Sequence, residues 1–122
     1  MSQDNVPQRP RFIPGTPEKL DAVAAAPKNH EVMFENDRVR VLRVTLPPGA
    51  VEHKHTHKWP SVFTIYKFPK IKYFNDKGEH VPITVNRSEF EGKPFWVEPE
   101  GVHWVENHDT YPLEAIRVEL KR

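Results

Sequence analysis

The chain has 122 residues, enough for one domain built on one hydrophobic core. Its net charge of +1, with both signs interspersed, argues against nucleic acid or an anionic membrane as the main partner. The lack of cysteine removes disulfides, thiolate nucleophiles and cysteine-based zinc sites. No apolar run approaches the roughly 18 residues of a membrane span and no signal-peptide core opens the chain, so a cytoplasmic location is expected.

Residues 1–15 carry Pro7, Pro10 and Pro14, with Phe12 and Ile13 as the only apolar pair, and read as an extended arm. A single domain is expected over residues 16–122. Thr16-Pro17-Glu18 looks like a helix start, with Thr16 as cap, Pro17 at the first helical position and an acid in the first turn. Leu20, Val23 and Ala24 recur at helical spacing, and Pro27 stops the element. From Asn29 onward the pattern becomes β. Val32 and Phe34 alternate with polar neighbours, and Asn36-Asp37 makes a turn. Arg38 to Leu46 follows, its apolar parity switching between Val41 and Leu42, which predicts a bulge or a strand covered on both faces. Ser61 to Phe68 is apolar on both faces and reads as a central strand. Asn75 to Gly78 is a hairpin turn between Lys70–Phe74 and Val81–Val85. Residues 86–93 read as a polar loop, and Phe95–Glu98, Val102–Asn107 and Leu113–Leu120 as three more strands. Short strands at this density, thirteen prolines and no crossover helices predict an all-β antiparallel sandwich or barrel with a short N-terminal helix outside it.

Chemistry concentrates in Gly49 to Val62, GAVEHKHTHKWPSV. His53, His55 and His57 fall at every second position, so an extended strand sends all three imidazoles to one face and Lys54, Thr56 and Lys58 to the other. No apolar face exists, so the segment lies on the surface or lines a polar cavity. Clustered neutral imidazoles in a cavity call for a divalent metal. Residues two apart are about 6.5 Å apart at Cα and can share an ion, whereas residues four apart span about 13 Å and cannot without a sharp bend. Two of the three can therefore serve one ion. A second stretch, Pro94 to Asn107, holds a Pro99-Glu100-Gly101 turn, then His103, Val105 and Asn107 on one strand face. Glu52 and Glu106 read as solvated charges.

Gly49, five residues, then His55-Thr56-His57 resembles the first motif of the cupin superfamily. Pro99-Glu100-Gly101-Val102-His103 with Asn107 is similar to the second, one residue short between glycine and histidine. HEVMFENDRVRVLRVTLPPG, HTHKWPSV and VHWVEN…AIRVELK resemble a group of small bacterial cupins, some labelled β-alanine degradation proteins, over about Asp21 to Lys121. The resemblance implies a jelly-roll cupin domain with His55, His57 and His103 as metal ligands, leaving His53 at the rim. It also marks a departure. The family's first motif supplies a glutamate four or five residues after its second histidine, where this chain has Ser61 and Val62. Three-histidine sites of this kind resemble thiol and diketone dioxygenases.

The expected function is accordingly a three-histidine, divalent-metal enzyme (Fe, Ni, Zn, Cu or Mn) of the non-haem dioxygenase type, acting on a small polar or carboxylate substrate. The alternatives are a non-catalytic module that binds a small ligand or metal, and a metal-assisted isomerase. His53, Trp59, Ser61, Tyr66, Trp96 and Asn107 are the candidate pocket residues, with Trp104 nearby and Asn107 a candidate hydrogen-bond partner for a ligand histidine. The arm is expected to add a strand to a neighbour's sheet in a homodimer.

Overall fold

The computed structural model describes residues 6–121, so the first five positions of the arm lie outside it. Among the described residues, nine strands form two antiparallel sheets. They are β1 (His30–Glu35), β2 (Val39–Leu46), β3 (His55–His57), β4 (Ser61–Lys67), β5 (Ile71–Phe74), β6 (His80–Val81), β7 (Phe95–Val97), β8 (Glu100–Asn107) and β9 (Leu113–Leu120). One sheet has the order β1-β2-β9-β4-β7 and the other β3-β8-β5-β6. Leu42, Val44, Leu46, Ile65, Phe68, Leu113 and Ala115 make the core, and Ile71 and Val105 of the second sheet pack against it.

Strand parity explains what is buried. Along β9, Leu113, Ala115, Arg117 and Glu119 turn inward and their neighbours outward; along β2, Arg40, Leu42, Val44 and Leu46 do the same. The register of β2 with β9 runs unbroken from Val39 to Leu46. Of the two alternatives expected for this segment, a bulge in β2 is thus absent, and the irregularity falls in β1 between Val32 and Phe34, opposite Leu42 and Val41. The parity switch in the sequence arises because the inward position before Leu42 is a buried arginine. The Arg40 guanidinium grips Asp21 with both Nη atoms, each at 2.9 Å, and Glu119 with Nε.

That ion pair also divides the N-terminal helix. A 3-10 turn at Glu18–Leu20 ends at Asp21, and α1 (Ala22–Ala25) begins after it, with the Asp21 carboxylate accepting from Val23 N. The expected cap, Thr16, instead donates its hydroxyl to Ile13 O. Residues 86–93 are not loop throughout. Asn86 caps a one-turn helix α2 (Arg87–Phe90).

The described part of the arm runs along its own chain. Gly101 N donates to Pro10 O at 3.0 Å, Phe12 N to Pro99 O at 3.4 Å and Asn75 Nδ2 to Gln8 O at 3.2 Å. Only glycine fits beneath it, since a Cβ at Gly101 would meet Arg11 O at 2.6 Å. Pro99-Glu100-Gly101 is therefore no free turn. Glu100 and Gly101 already belong to β8.

Candidate metal centre

Pairing of β3 with β8 sets His55 opposite His103 and His57 opposite Glu100, with a bulge between. The shared pleat turns these side chains inward, and His55, His57 and His103 are 1–3% exposed. Their rings cluster, with centroids 5.2 Å apart for His55–His57, 4.5 Å for His55–His103 and 5.6 Å for His57–His103. A fourth imidazole joins them from the other sheet. His30 opens β1, pairs with inward-facing Val44, and lies 4.6 Å from the His55 ring and 5.4 Å from that of His57.

Each ring is held by the same nitrogen. His30 Nδ1 donates to Ala26 O (3.0 Å), His55 Nδ1 to His53 O (2.7 Å), His103 Nδ1 to Gly101 O (2.8 Å) and His57 Nδ1 to a Glu119 oxygen (2.9 Å). A carbonyl oxygen only accepts, so the proton sits on Nδ1 and leaves an Nε2 lone pair facing the cluster. Carboxylate oxygens lie 3.8 Å from the Nε2 atoms of His30, His55 and His103, beyond hydrogen-bond range. Orientation of ligand imidazoles through Nδ1 is the usual support of a metal site. Two groups of donor atoms lie within 4.8 Å of one another: His30, His55 and His57; and His57, Glu100 and His103. Imidazole nitrogens, with or without a carboxylate, suit iron, nickel, copper, zinc or manganese as donors.

Two carboxylates stand beside the imidazoles, where three neutral histidines were expected to be alone. Glu52 is 6% exposed, not solvated. It sits between the Nε2 atoms of His30 and His55 and accepts Val105 N–H at 2.9 Å. Burial above all, and then Glu100, push its carboxyl pKa up to about 8 despite that hydrogen bond. Glu100 behaves oppositely. Burial favours its neutral form, but His103, Arg117 and Arg9 outweigh that and hold it well below the usual carboxylate range. It accepts from Arg117 (2.9 Å), Arg9 (2.7 Å) and the Tyr73 hydroxyl (2.7 Å), and Tyr73 stacks on His103 with centroids 5.0 Å apart. The imidazoles are kept neutral. Burial lowers His30 to about 4 and carries His55 and His57 well below the ordinary value; His103 is lowered too, though Glu100 opposes the shift.

Behind His57 a chain of charges runs to the surface helix. Glu119 accepts the His57 Nδ1–H on one oxygen and Arg40 Nε–H on the other, and Arg40 is forked onto Asp21.

The cluster stands at one pole of a cavity of about 370 Å³. None of the six residues expected to form the pocket lines it. His53 is exposed and offers only its carbonyl. Tyr66 and Trp96 are 57% and 53% exposed, because they occupy the outward positions of β4 and β7. Trp59 lies under Arg40, Lys58 and Lys121, and Trp104 stacks on Phe74. Ser61 is fully buried but reaches the site only by accepting Arg117 Nε at 3.0 Å. Asn107 makes its turn, donating to Leu46 O and Tyr111 O, and its side chain hydrogen-bonds to no histidine. Phe63, Phe68, Tyr73, Phe90 and Phe95 supply the aromatic walls.

Sequence reasoning missed His30, Glu52, Glu100, Arg117, Glu119 and Arg9. Of these, only Glu119 and Arg117 left a trace, as charged residues at the inward parity of an otherwise alternating strand.

No protein-family model matches the chain, and no curated protein matches it. Solved structures do match. A cupin domain protein from Bordetella pertussis Tohama I superposes with a TM-score of 0.64 at 19% identity, over 95% of this chain and 99% of that one. A protein with a double-stranded β-helix domain from Klebsiella pneumoniae gives 0.56 at 18%, over 75% of each chain. An RmlC-like cupin from Methanocaldococcus jannaschii gives 0.56 at 19%, over 75% of this chain and 77% of that one. These likenesses lend no support to the β-alanine degradation label. They do match the two-sheet topology described above, and on that ground the chain has the cupin fold.

Proposed function

We propose that the chain is a metal-dependent enzyme of the non-haem dioxygenase type, holding one divalent ion through His55, His57 and His103 and acting on a small molecule in the adjoining cavity. His30 is a fourth imidazole within reach of the same point. The observation that carries this reading is the common orientation of the four rings, each tied through Nδ1 with Nε2 left toward the cluster. A bound ion would supply Lewis acidity and, if redox-active, the means to engage dioxygen.

The surrounding residues divide the remaining work. Glu52 is the carboxyl group best placed to compensate the ion's charge, because a neighbouring dication reverses the effect of burial and favours its anion. Glu100 is already neutralised by Arg9 and Arg117, and serves to fix Tyr73 and, through it, the His103 ring. Glu119 holds the His57 ring and its tautomer. Buried walls exclude water from the reacting groups.

The test is oxygen uptake by Fe(II)-loaded protein across a substrate panel, beside Zn(II)-loaded protein as the redox-inert control. Metal-dependent uptake with product formation supports the reading. Tight metal and ligand binding without turnover under any metal would instead support a non-catalytic module, and turnover without oxygen uptake a metal-assisted isomerase.

A further inference from the structure

Away from its histidine pole the cavity is apolar. Val44, Leu46, Ile65, Phe68 and Leu113 line it while also belonging to the hydrophobic core. Protein interiors normally fill such space with side chains. Here about 370 Å³ is left open beside the core, room for roughly ten waters that aliphatic walls cannot bind. The rim continues the pattern. Ile83 and Val85 line the cavity and are also 37% and 42% exposed, which places an apolar lip between cavity and solvent.

The cations near the polar pole are already engaged. Arg117 donates to Ser61 Oγ and Glu100, and Arg9 donates to Glu100 while lying over the Tyr73 ring at 5.0 Å. No other lysine or arginine lines the cavity among the described residues. A ligand carrying a second charged group would bury that group against hydrocarbon with no partner, which is strongly unfavourable.

We infer that the site takes an amphipathic small molecule, with one oxygen-bearing, chelating head at the imidazoles and an uncharged ring or alkyl body in the apolar lobe. This replaces the small polar or carboxylate substrate expected from the sequence. The head-group half of the inference rests on the metal reading above; the apolar half rests on the cavity alone. Body size is limited to about that of a one- or two-ring compound.

The experiment uses full-length protein loaded with Co(II) or Zn(II) and titrated with acetohydroxamate, butanohydroxamate, hexanohydroxamate and octanohydroxamate, which share a chelating head. Affinity is expected to rise about fourfold per added methylene until the lobe is full. Ile65→Phe, which fills the lobe from within, should abolish that rise. Ile83→Ser, on the exposed rim and so tolerant of change, should weaken only the longer members. A flat series with metal bound overturns the inference and leaves the metal reading intact. If the protein binds no metal, the metal reading fails, and metal-free protein is titrated with 2-naphthol instead. Saturable binding lost in Ile65→Phe then supports the apolar lobe, and its absence in the parent protein overturns it.

Discussion

Replacing Glu119 by Gln tests whether the charge behind His57 sets the metal affinity. Glu119 is fully buried, with one oxygen on His57 Nδ1 at 2.9 Å and the other on Arg40 Nε. Gln keeps the volume but turns one acceptor into a donor. If its carbonyl stays with His57, its amide faces the Arg40 guanidinium; if it turns over, the amide faces Nδ1–H and loses the His57 bond. Either way one buried donor is left without an acceptor. Loss of a carboxylate partner behind a ligand imidazole typically costs 10- to 100-fold in metal affinity, about 1.4–2.7 kcal/mol. Loss of a buried charge-assisted hydrogen bond destabilises the metal-free fold by about 1.5–3 kcal/mol. Metal affinity is measured by competition with a chromophoric chelator and stability by urea denaturation of chelator-treated protein. Glu106→Gln is the control, its carboxylate being partly exposed and remote from the cluster. An unchanged metal affinity in Glu119→Gln, with folding intact, would refute the reasoning.

Three further outcomes are expected. In Gly101→Ala the new Cβ meets Arg11 O, so the arm should lift and the domain lose about 1–3 kcal/mol, read as faster proteolysis within residues 6–12 and an earlier urea transition; unchanged protection of the arm would count against its docked position. The stability of metal-free protein should peak near pH 6.5. Below it the unfolded chain takes up protons on histidines whose folded values are depressed (His30 to about 4), so stability falls with pH by up to about 1.4 kcal/mol per unit for each. Above it the folded state alone keeps the Glu52 proton, so stability falls as pH rises toward about 8; a monotonic rise from pH 5 to 8.5 would contradict the Glu52 sign, and a monotonic fall over that range the histidine sign. Finally, metal binding at pH 7 should release a proton from Glu52, seen as heats that vary with buffer ionisation enthalpy, and Glu52→Gln should abolish that release.

The parts of this fold legible in the sequence are those governed by local rules. Leu113–Leu120 announces itself by alternation, the hairpin by Asn75 to Gly78, and the imidazole pair by its period of two. The rest depends on long-range pairing. His30 looks like the first residue of an ordinary strand and becomes part of the cluster only because β1 docks at Val44. Glu52 and Glu100 sit among turn-forming residues, and nothing local marks them as buried. Arg40 breaks the apolar period of β2 because its partners, Asp21 and Glu119, lie 19 and 79 residues away. Tyr66 and Trp96 misled in the opposite sense. They are near the motifs in sequence, but the pleat turns them outward.

The central claim is that imidazoles from separate strands hold one ion, and metal content across histidine variants tests it most directly. Protein purified without added metal, then loaded and desalted, should retain about one divalent ion per chain. Retention should collapse in His55→Ala, His57→Ala and His103→Ala, weaken in His30→Ala and persist in His53→Ala. Folded protein that retains no metal, or retains it equally in all five variants, would contradict the account.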